Sequence, residues 1–491
     1  MVSLEHQRQK WHSFLTAQWT TLLRLAIVLG VLVAAAGVGA LLAWKPYSAN
    51  LQLFALAGSV GAVALVIGLN RFGQPEYGIL AVLLLGGLFN FFSLPTGTES
   101  KLVLSLVMAS ALCGLWFLDM LLVEKRFTLK PSPVNKPILT FIAVGIISFF
   151  WSFLMEDPLV YRYGSFTIVQ IATLFVNSLL PFMIIYVINK IQDIKWLKQM
   201  TWILLGIGAF AWVSSEFNLP TIRMVENGMR GVFITWVGAL AYGQALFNEK
   251  LSPWKRFTLL LLLGAWVFWA LIQHRIWLSG WVPLGVACAV LTLARSRQLF
   301  LAFVLIGLLY VAVNYEYFYE EVVVANLDEG GGERLDIWRL NLSHVVDHPW
   351  FGMGPAGYAL YNMTYHPQDA RSTHNNYFDI LAQTGVIGLA CFIWMMATLI
   401  RLGLHLRRQL TSQRNFAEAF TNATIAGIIG ALVAMTLGDW VLPFAYNQTI
   451  SGFDNAVFTW VFIGGMMALY HIVETQKGSD ELAVTSDQSS Y

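Results

Sequence analysis

The sequence predicts an all-α polytopic membrane protein of about 12–14 transmembrane helices, with one large extracytoplasmic loop that contains an amphipathic helix. Of its 491 residues, 57% are hydrophobic and only 12% are charged, and the mean hydropathy is +0.62. An ordinary soluble domain has about 25% charged residues. Apolar runs of about 20 residues, the length that crosses the hydrocarbon core, recur along the chain. Lipid must therefore be the solvent for most of this protein.

Fourteen apolar runs are long enough to cross a bilayer. They lie at about 22–44, 50–69, 78–95, 102–123, 137–155, 167–189, 198–214, 231–247, 257–273, 276–294, 298–314, 377–400, 420–441 and 456–475. Closely spaced runs around Arg275 and Arg297 leave the exact count open, since boundaries read from a sequence err by about 2–4 residues.

The connections between these runs indicate the orientation of the chain. With the N-terminus inside, the inner segments carry 21 Lys and Arg and the outer segments carry 9, which together make up all 30 in the chain. Short cytoplasmic loops hold the basic excess in membrane proteins, so both termini are predicted to be cytoplasmic. Four regions follow: a transmembrane bundle of about eleven helices at 1–314, the large outer loop at 315–376, further transmembrane helices at 377–475, and a disordered cytoplasmic tail at 476–491.

Composition and motifs exclude several function classes. A net charge of +2 with no basic tract argues against nucleic-acid binding. The three cysteines lie inside apolar runs and offer neither a disulfide framework nor metal-type spacing. There is no phosphate-binding glycine loop and no nucleophilic serine motif. The span centres are nearly free of charge, with Asp379 and Asp439 toward outer ends, which disfavours a proton-coupled transporter.

The outer connection of about 62 residues is far longer than ordinary loops of about 4–6 residues, and its composition indicates order. Apolar residues at helical spacing predict an amphipathic helix that ends before Pro349. They are Leu335, Trp338, Leu342 and Val345. Gly352, Gly354 and Gly357 then permit positive φ and close approach of the backbone to a ligand. The loop closes on STHNNY, at 372–377, which leads directly into a transmembrane helix.

His374, near the membrane surface at a helix start, is the titratable group best suited to act as a general base at neutral pH. From position alone, a capping or interfacial histidine is an equally good interpretation. Arg334 opens the amphipathic helix, where a solvated surface cation is the alternative. Arg275 lies at a hairpin tip between apolar helices and must snorkel or line a polar cavity, whereas Arg230 could equally anchor a lipid headgroup.

His344 and His348 lie four residues apart on a predicted helix, a spacing compatible with zinc. No third and fourth ligand follows at a suitable spacing, so no metal site is expected.

Three motifs carry a resemblance to a known family. RLDIW at 334–338, HPWFGMGPAGY at 348–358 and THNNYFDILAQTGVIGL at 373–389 resemble the signature region of the O-antigen ligase and O-antigen polymerase superfamily of bacterial membrane glycosyltransferases. The close match covers about 55 residues. The resemblance implies a polyprenyl-diphosphate-linked glycan as donor and a glycan or glycolipid hydroxyl as acceptor. The reaction would take place on the outer face of the cytoplasmic membrane and would invert the anomeric configuration. It would need no metal, nucleotide or other cofactor.

By this resemblance, His374 corresponds to the family's loop histidine and is the predicted catalytic base. Arg334 corresponds to its loop arginine, and Arg230 and Arg275 to arginines at the outer ends of earlier helices; all three are predicted diphosphate ligands. Many members carry an acidic residue where this chain has Gln383, so no carboxylate role is assigned there. Secondary candidates for the site are Trp338, Gly352, Gly354 and Asn375.

The resemblance favours an O-antigen ligase that uses a lipid A core sugar or a similar acceptor. A polymerase of O-antigen or exopolysaccharide from the same superfamily is the alternative. A flippase or exporter of lipid-linked sugars is a second alternative, because such a protein would also have many spans and outer arginines.

Overall fold

A computed structural model describes residues 67, 74–88, 93–95, 101–217, 231–274, 277–317, 319–320, 332–367, 372–444 and 452–488. For 93–95, 101, 332–334 and 478–488 it describes the backbone alone. The first predicted span, at 22–44, and all but one residue of the second, at 50–69, lie outside the described residues.

The described residues form a bundle of helices joined by short connections. In chain order the helices are α1 (Glu76–Leu88), α2 (Leu104–Leu118, continued by a π-helical turn at Asp119–Glu124), α3 (Asn135–Leu154), α4 (Phe166–Lys190), α5 (Ile194–Glu216), α6 (Phe233–Phe247), α7 (Pro253–Phe268, continued by a π-helical turn at Trp269–Gln273), α8 (Leu278–Arg295), α9 (Arg297–Val313), α10 (Gly332–Asp347), α11 (Gly357–Tyr365), α12 (Asn376–Leu410), α13 (Phe416–Leu437) and α14 (Phe453–Gln488). A single helical turn lies at Tyr315–Tyr317, and an antiparallel hairpin pairs β1 (Ser93–Pro95) with β2 (Lys101–Val103).

The predicted all-helical membrane fold is confirmed. Eight described helices are long and apolar enough to cross a membrane, namely α2, α3, α4, α7, α8, α12, α13 and the part of α14 up to Lys477. Shorter apolar helices are α1, α6 and α9, and α5 is long but less apolar. Each described helix outside the large loop coincides with one predicted apolar run, so the chain is a multi-pass membrane protein.

Large aromatic side chains fill the centre of the bundle. Trp236 of α6 is fully buried and stacks on Phe462 of α14, with ring centroids 5.4 Å apart. Its indole Nε1 donates a hydrogen bond of 2.9 Å to Thr459 on the same helix. A buried indole N–H needs such a partner because an unpaired donor in an apolar interior is costly. The contact fixes α6 against α14 at the core of the bundle.

Helix α12 breaks near its start, at Gly385, whose φ of 67° and ψ of −171° are not helical. The break frees two carbonyl groups that the large loop then satisfies. Ala382 accepts a hydrogen bond of 2.9 Å from the amide of Met353, and Gln383 accepts one of 3.0 Å from the amide of Gly354. Unpaired backbone groups cost several kcal/mol where water is scarce. The broken helix and the loop segment therefore stabilise each other.

The amphipathic helix of the loop is confirmed as α10, but the prediction of its buried face was wrong in part. Ile337, Asn341 and Val345 form the buried face, whereas Leu335 is 48% and Leu342 is 45% exposed. The three buried residues follow one another at four-residue intervals and so lie on one side of the helix. Because Asn341 is polar, hydropathy alone assigned the face to leucines that lie elsewhere on the helix.

Helix α14 continues to Gln488, whereas the sequence predicted a disordered tail from residue 476. Extending an existing helix avoids the cost of nucleation. The tail also contains Glu481, Leu482 and Ala483, which are good helix formers.

Candidate functional site

His374 lies in a tight turn immediately before α12. Its backbone is left-handed, with a φ of 50°, and its amide donates to Ser372 Oγ at 3.0 Å. Asn375 follows as the cap of α12, since its Oδ1 accepts hydrogen bonds from the amides of Tyr377 at 3.0 Å and Phe378 at 3.4 Å. The His374 side chain is 38% exposed. The turn thus presents a partly exposed imidazole at the helix start, and Asn375 has a capping role.

Thr373, the residue before the histidine, is held by three other elements. Its carbonyl accepts a hydrogen bond of 2.7 Å from Trp338 Nε1 on α10, and its amide donates to the Tyr358 hydroxyl of α11 at 3.4 Å. Its hydroxyl donates to Asp379 Oδ1 of α12 at 2.6 Å. The Tyr358 hydroxyl donates to the same oxygen, also at 2.6 Å. Helices α10, α11 and α12 therefore fix the turn that carries His374.

Asp439, in the segment that follows α13, faces the imidazole. Its Oδ1 lies 3.6 Å from Nδ1 of His374, and its side chain is fully buried. A carboxylate at this distance stabilises a positive charge on the ring and favours the tautomer with the proton on Nδ1. The sequence analysis assigned Asp439 no role. The available signal was an ionisable residue at the end of an apolar run, which is rare in membrane spans.

Trp440 follows Asp439 in sequence and contacts residues from two further segments. Its ring lies 6.3 Å from that of Trp277, in a nearly perpendicular arrangement. Gly231 packs so closely that a Cβ there would lie 2.5 Å from the indole. The predicted diphosphate ligands Arg230 and Arg275 lie outside the described residues. However, Arg230 directly precedes Gly231, and Arg275 lies two residues before Trp277.

Arg334 is in the first turn of α10, where the structure describes its backbone but not its side chain. It precedes Trp338 by four residues, so the two positions share one side of the helix. Trp338 stacks on Phe378 of α12 with ring centroids 5.2 Å apart, in addition to its hydrogen bond to Thr373. The side of α10 that carries position 334 therefore faces the start of α12.

Gly352 and Gly354 have the positive φ values that the sequence predicted, 66° and 86°. The close approach is to other atoms of the protein, to backbone at Gly352 and to a side chain at Gly354. A Cβ on Gly352 would lie 2.5 Å from the Ala382 carbonyl oxygen, and one on Gly354 would lie 2.5 Å from Cβ of Ser152. The Gly352 amide donates to the His348 carbonyl at 3.2 Å. Among the described contacts, both glycines thus join the loop to the bundle.

Gln383 also has a structural role. Its side-chain Oε1 accepts a hydrogen bond of 2.8 Å from the amide of Ala356, and its carbonyl accepts one of 2.5 Å from Ser148 Oγ. A neutral amide is sufficient for this contact, so no carboxylate is needed at this position.

The histidines of α10 pack into a cluster at the rim of the loop. His344 lies 5.5 Å and His348 5.1 Å from the ring of Tyr361. Burial lowers the pKa of both histidines below the usual value near 6.5. In the part of the chain that the structure describes, no group of three His, Cys, Asp or Glu side chains could hold a metal ion.

Arg162, in the connection between α3 and α4, is paired with other groups of the protein. Its guanidinium lies 2.9 Å from Glu156 and stacks 4.2 Å from the ring of Phe153. Its side chain is only 16% exposed. These contacts neutralise its charge, so Arg162 is a poor candidate for holding a substrate phosphate.

The arrangement around His374 is suited to removing a proton from a hydroxyl group. With Nδ1 directed at a buried carboxylate, Nε2 is the nitrogen available to a substrate. The fixed backbone of the turn positions the ring, and its partial exposure allows a bulky substrate to reach it.

Two comparisons with known proteins bear on this site. Residues 255–393 match a family model described as O-antigen ligase. This match includes the loop, His374 and the broken helix, and it confirms the resemblance seen in the sequence motifs. No curated protein matches the chain.

Proposed function

Residues 255–393 are a domain of the O-antigen ligase family, and we propose that this protein is an O-antigen ligase-like glycosyltransferase with His374 as its catalytic base. The family domain indicates a membrane glycosyltransferase of the ligase or polymerase type that uses lipid-linked glycans. The finer proposal is that it moves a glycan from polyprenyl diphosphate to an acceptor hydroxyl, such as that of a lipid A core sugar. Transfer takes place on the outer face of the cytoplasmic membrane, with both termini of the chain inside.

The observation that carries the proposal is the pair formed by His374 and Asp439, 3.6 Å apart. The acceptor hydroxyl gives its proton to Nε2 of His374 as its oxygen forms a bond to the anomeric carbon. The bond between that carbon and the diphosphate oxygen breaks, and its electron pair leaves with the diphosphate. A single displacement of this kind inverts the anomeric configuration. Asp439 stabilises the imidazolium that forms, and a positioned base typically contributes about 10²–10⁴-fold in rate.

Negative charge builds on the leaving diphosphate, and arginines are suited to stabilise it because the guanidinium group can bind phosphate through two donors. The proposed ligands are Arg230, Arg275 and Arg334. Gly231, which follows Arg230, and Trp277, two residues after Arg275, both contact Trp440 beside the His374 pair, which supports the assignment of these two arginines. One well-placed donor contributes roughly 3–4 kcal/mol of transition-state stabilisation.

The test is transfer by the purified protein, supplied with a polyprenyl-diphosphate glycan and candidate acceptors. We expect a covalent glycan–acceptor product that still forms when divalent metals are chelated. His374→Ala should abolish the product while the protein stays folded and still binds the donor. The control is His405→Ala, an exposed histidine near the opposite end of α12, which should retain transfer. Normal product from the His374→Ala variant would remove His374 from the mechanism.

Mass analysis of the product separates the members of the family. A single transfer to a core acceptor identifies a ligase, and a ladder of repeats on the lipid identifies a polymerase. Movement of the lipid-linked glycan across a vesicle membrane without any covalent product would contradict the proposal and identify a flippase.

A further inference from the structure

We propose that Asp379 is a positioning residue of the transfer site, which holds the turn of His374 through the hydroxyl groups of Thr373 and Tyr358. The inference rests on the proposed function, because it assigns Asp379 a role only if His374 is the base. Asp379 is 2% exposed and lies in the first turn of α12.

Two hydroxyl groups point at one oxygen of this carboxylate. Tyr358 and Thr373 both donate to Asp379 Oδ1, each at 2.6 Å. Since Thr373 directly precedes His374, a displacement of the Asp379 carboxylate would pass to the imidazole through a single peptide unit. The carboxylate thus joins α11 and α12 to the catalytic turn.

The second oxygen of Asp379 has a different environment. Oδ2 is buried and has no hydrogen-bond partner among the described residues. Asn177 Oδ1 on α4 is likewise buried without a described hydrogen-bond partner. Both residues line one cavity between α3, α4 and α12, together with Ser178 and Gln383. This polar lining can accommodate the NH₂ group of an asparagine. Asp379→Asn therefore keeps an acceptor oxygen for the two hydroxyl groups at nearly constant shape.

The charges around His374 come from several elements. Asp439 follows α13 and Asp379 belongs to α12, and both interact electrostatically with the imidazole. From α11, Tyr358 contributes a hydroxyl that donates to Asp379. From α10, Trp338 is uncharged, and the Asp336–Arg339 pair, 3.3 Å apart, is solvent-exposed. Among the described residues, Asp439 is therefore the acidic group that faces the imidazole directly, whereas Asp379 acts on it through Thr373.

The experiment compares kcat and KM of wild type, Asp379→Ala and Asp379→Asn in the transfer assay. Asp379→Ala removes the acceptor of both hydroxyl groups and loosens the turn of His374, so kcat should fall at least about tenfold with little change in KM. Asp379→Asn keeps an acceptor oxygen at nearly the same place and should restore most of the wild-type kcat.

Asp454→Ala is the matched control. Asp454 is also buried in the first turn of a membrane helix, and it accepts a hydrogen bond from Ser105. This variant should keep the wild-type kcat. A folded Asp379→Ala variant with a wild-type kcat would overturn the proposal, as would an equal loss of kcat in the control or in Asp379→Asn.

A second pair of variants tests the positioning role if Asp379→Ala does not fold. Thr373→Val removes the hydroxyl that Asp379 holds and should lower kcat at least about tenfold, while Thr373→Ser keeps the hydroxyl and should restore it. Equal rates for the Val and Ser variants would overturn the positioning role. Transfer by wild type and its loss in His374→Ala are measured in parallel, so a failure of the proposed function is seen separately.

Discussion

Replacing Gly385 by alanine should damage the site without touching any residue that meets substrate. The φ of 67° and ψ of −171° at this position lie in a region that only glycine adopts without strain. A Cβ there would lie 2.2 Å from the carbonyl oxygen of Trp350 and 2.6 Å from the amide nitrogen of Phe351. Both are backbone atoms of the loop segment whose amides bind the free carbonyls of the broken helix. Neither atom can move away by a side-chain rotation.

The expected loss of folding free energy has two causes, the strained backbone at position 385 and the close contacts of the added Cβ. Holding a residue with a side chain in this conformation costs about 1–3 kcal/mol, and overpacking against fixed backbone costs about another 1–3 kcal/mol. A total of about 2–6 kcal/mol is a large part of the net stability of a typical protein. The cheaper response is displacement of the loop segment, which would release the carbonyls of Ala382 and Gln383 and loosen the turn of His374.

Thermal unfolding in detergent, followed by tryptophan fluorescence, and single-turnover transfer would measure both effects. Gly385→Ala should melt several degrees below wild type and lose most of its transfer rate. Gly264→Ala is the control, because Gly264 lies within α7 and a Cβ there meets nothing within 4 Å. The control should be as stable as wild type or up to about 1 kcal/mol more stable. Identical melting and turnover for the two variants would refute the reasoning.

Three further predictions concern single side chains. Asp439→Asn should lower kcat about ten- to a hundredfold, since the imidazolium loses a buried counter-charge; a wild-type rate would remove Asp439 from the mechanism. Arg275→Ala should weaken transfer more than Arg275→Lys does, measured as kcat/KM, because a lysine keeps charge but not the two-donor geometry. The pKa values of His344 and His348 are lowered by burial, so the unfolded loop binds more protons below about pH 6.5. After correction for the intrinsic pH dependence of amide exchange, protection in α10 and α11 should therefore be lower at about pH 5.5 than at pH 7.5, and this difference should be smaller in His348→Gln.

Hydropathy was sufficient to predict the helices and the large loop, because burial in lipid imposes a length and a composition that each span shows on its own. The helical nature of α10 was also evident from local spacing. Its buried face was not, because Asn341 is buried through contacts with another helix, including Asn362 of α11 at 3.4 Å. Such a partner is chosen by the fold and leaves no local pattern.

The long-range contacts of the site could not be predicted from local sequence patterns for the same reason. Asp439 reaches His374 from the far end of the next helix, and no motif joins the two positions. The break at Gly385 lies within an apolar run, where a glycine is compatible with an unbroken helix. Only the fit of the segment around Trp350 shows why this glycine must be non-helical.

The anomeric configuration of the glycan bond before and after transfer tests the single displacement at His374. It is measured by NMR of the donor and of the purified product. Inversion is expected, because the acceptor oxygen attacks the face opposite the departing diphosphate while His374 takes its proton. Retention would require two successive displacements through a covalent glycosyl-enzyme, and it would contradict the role given to His374 and Asp439.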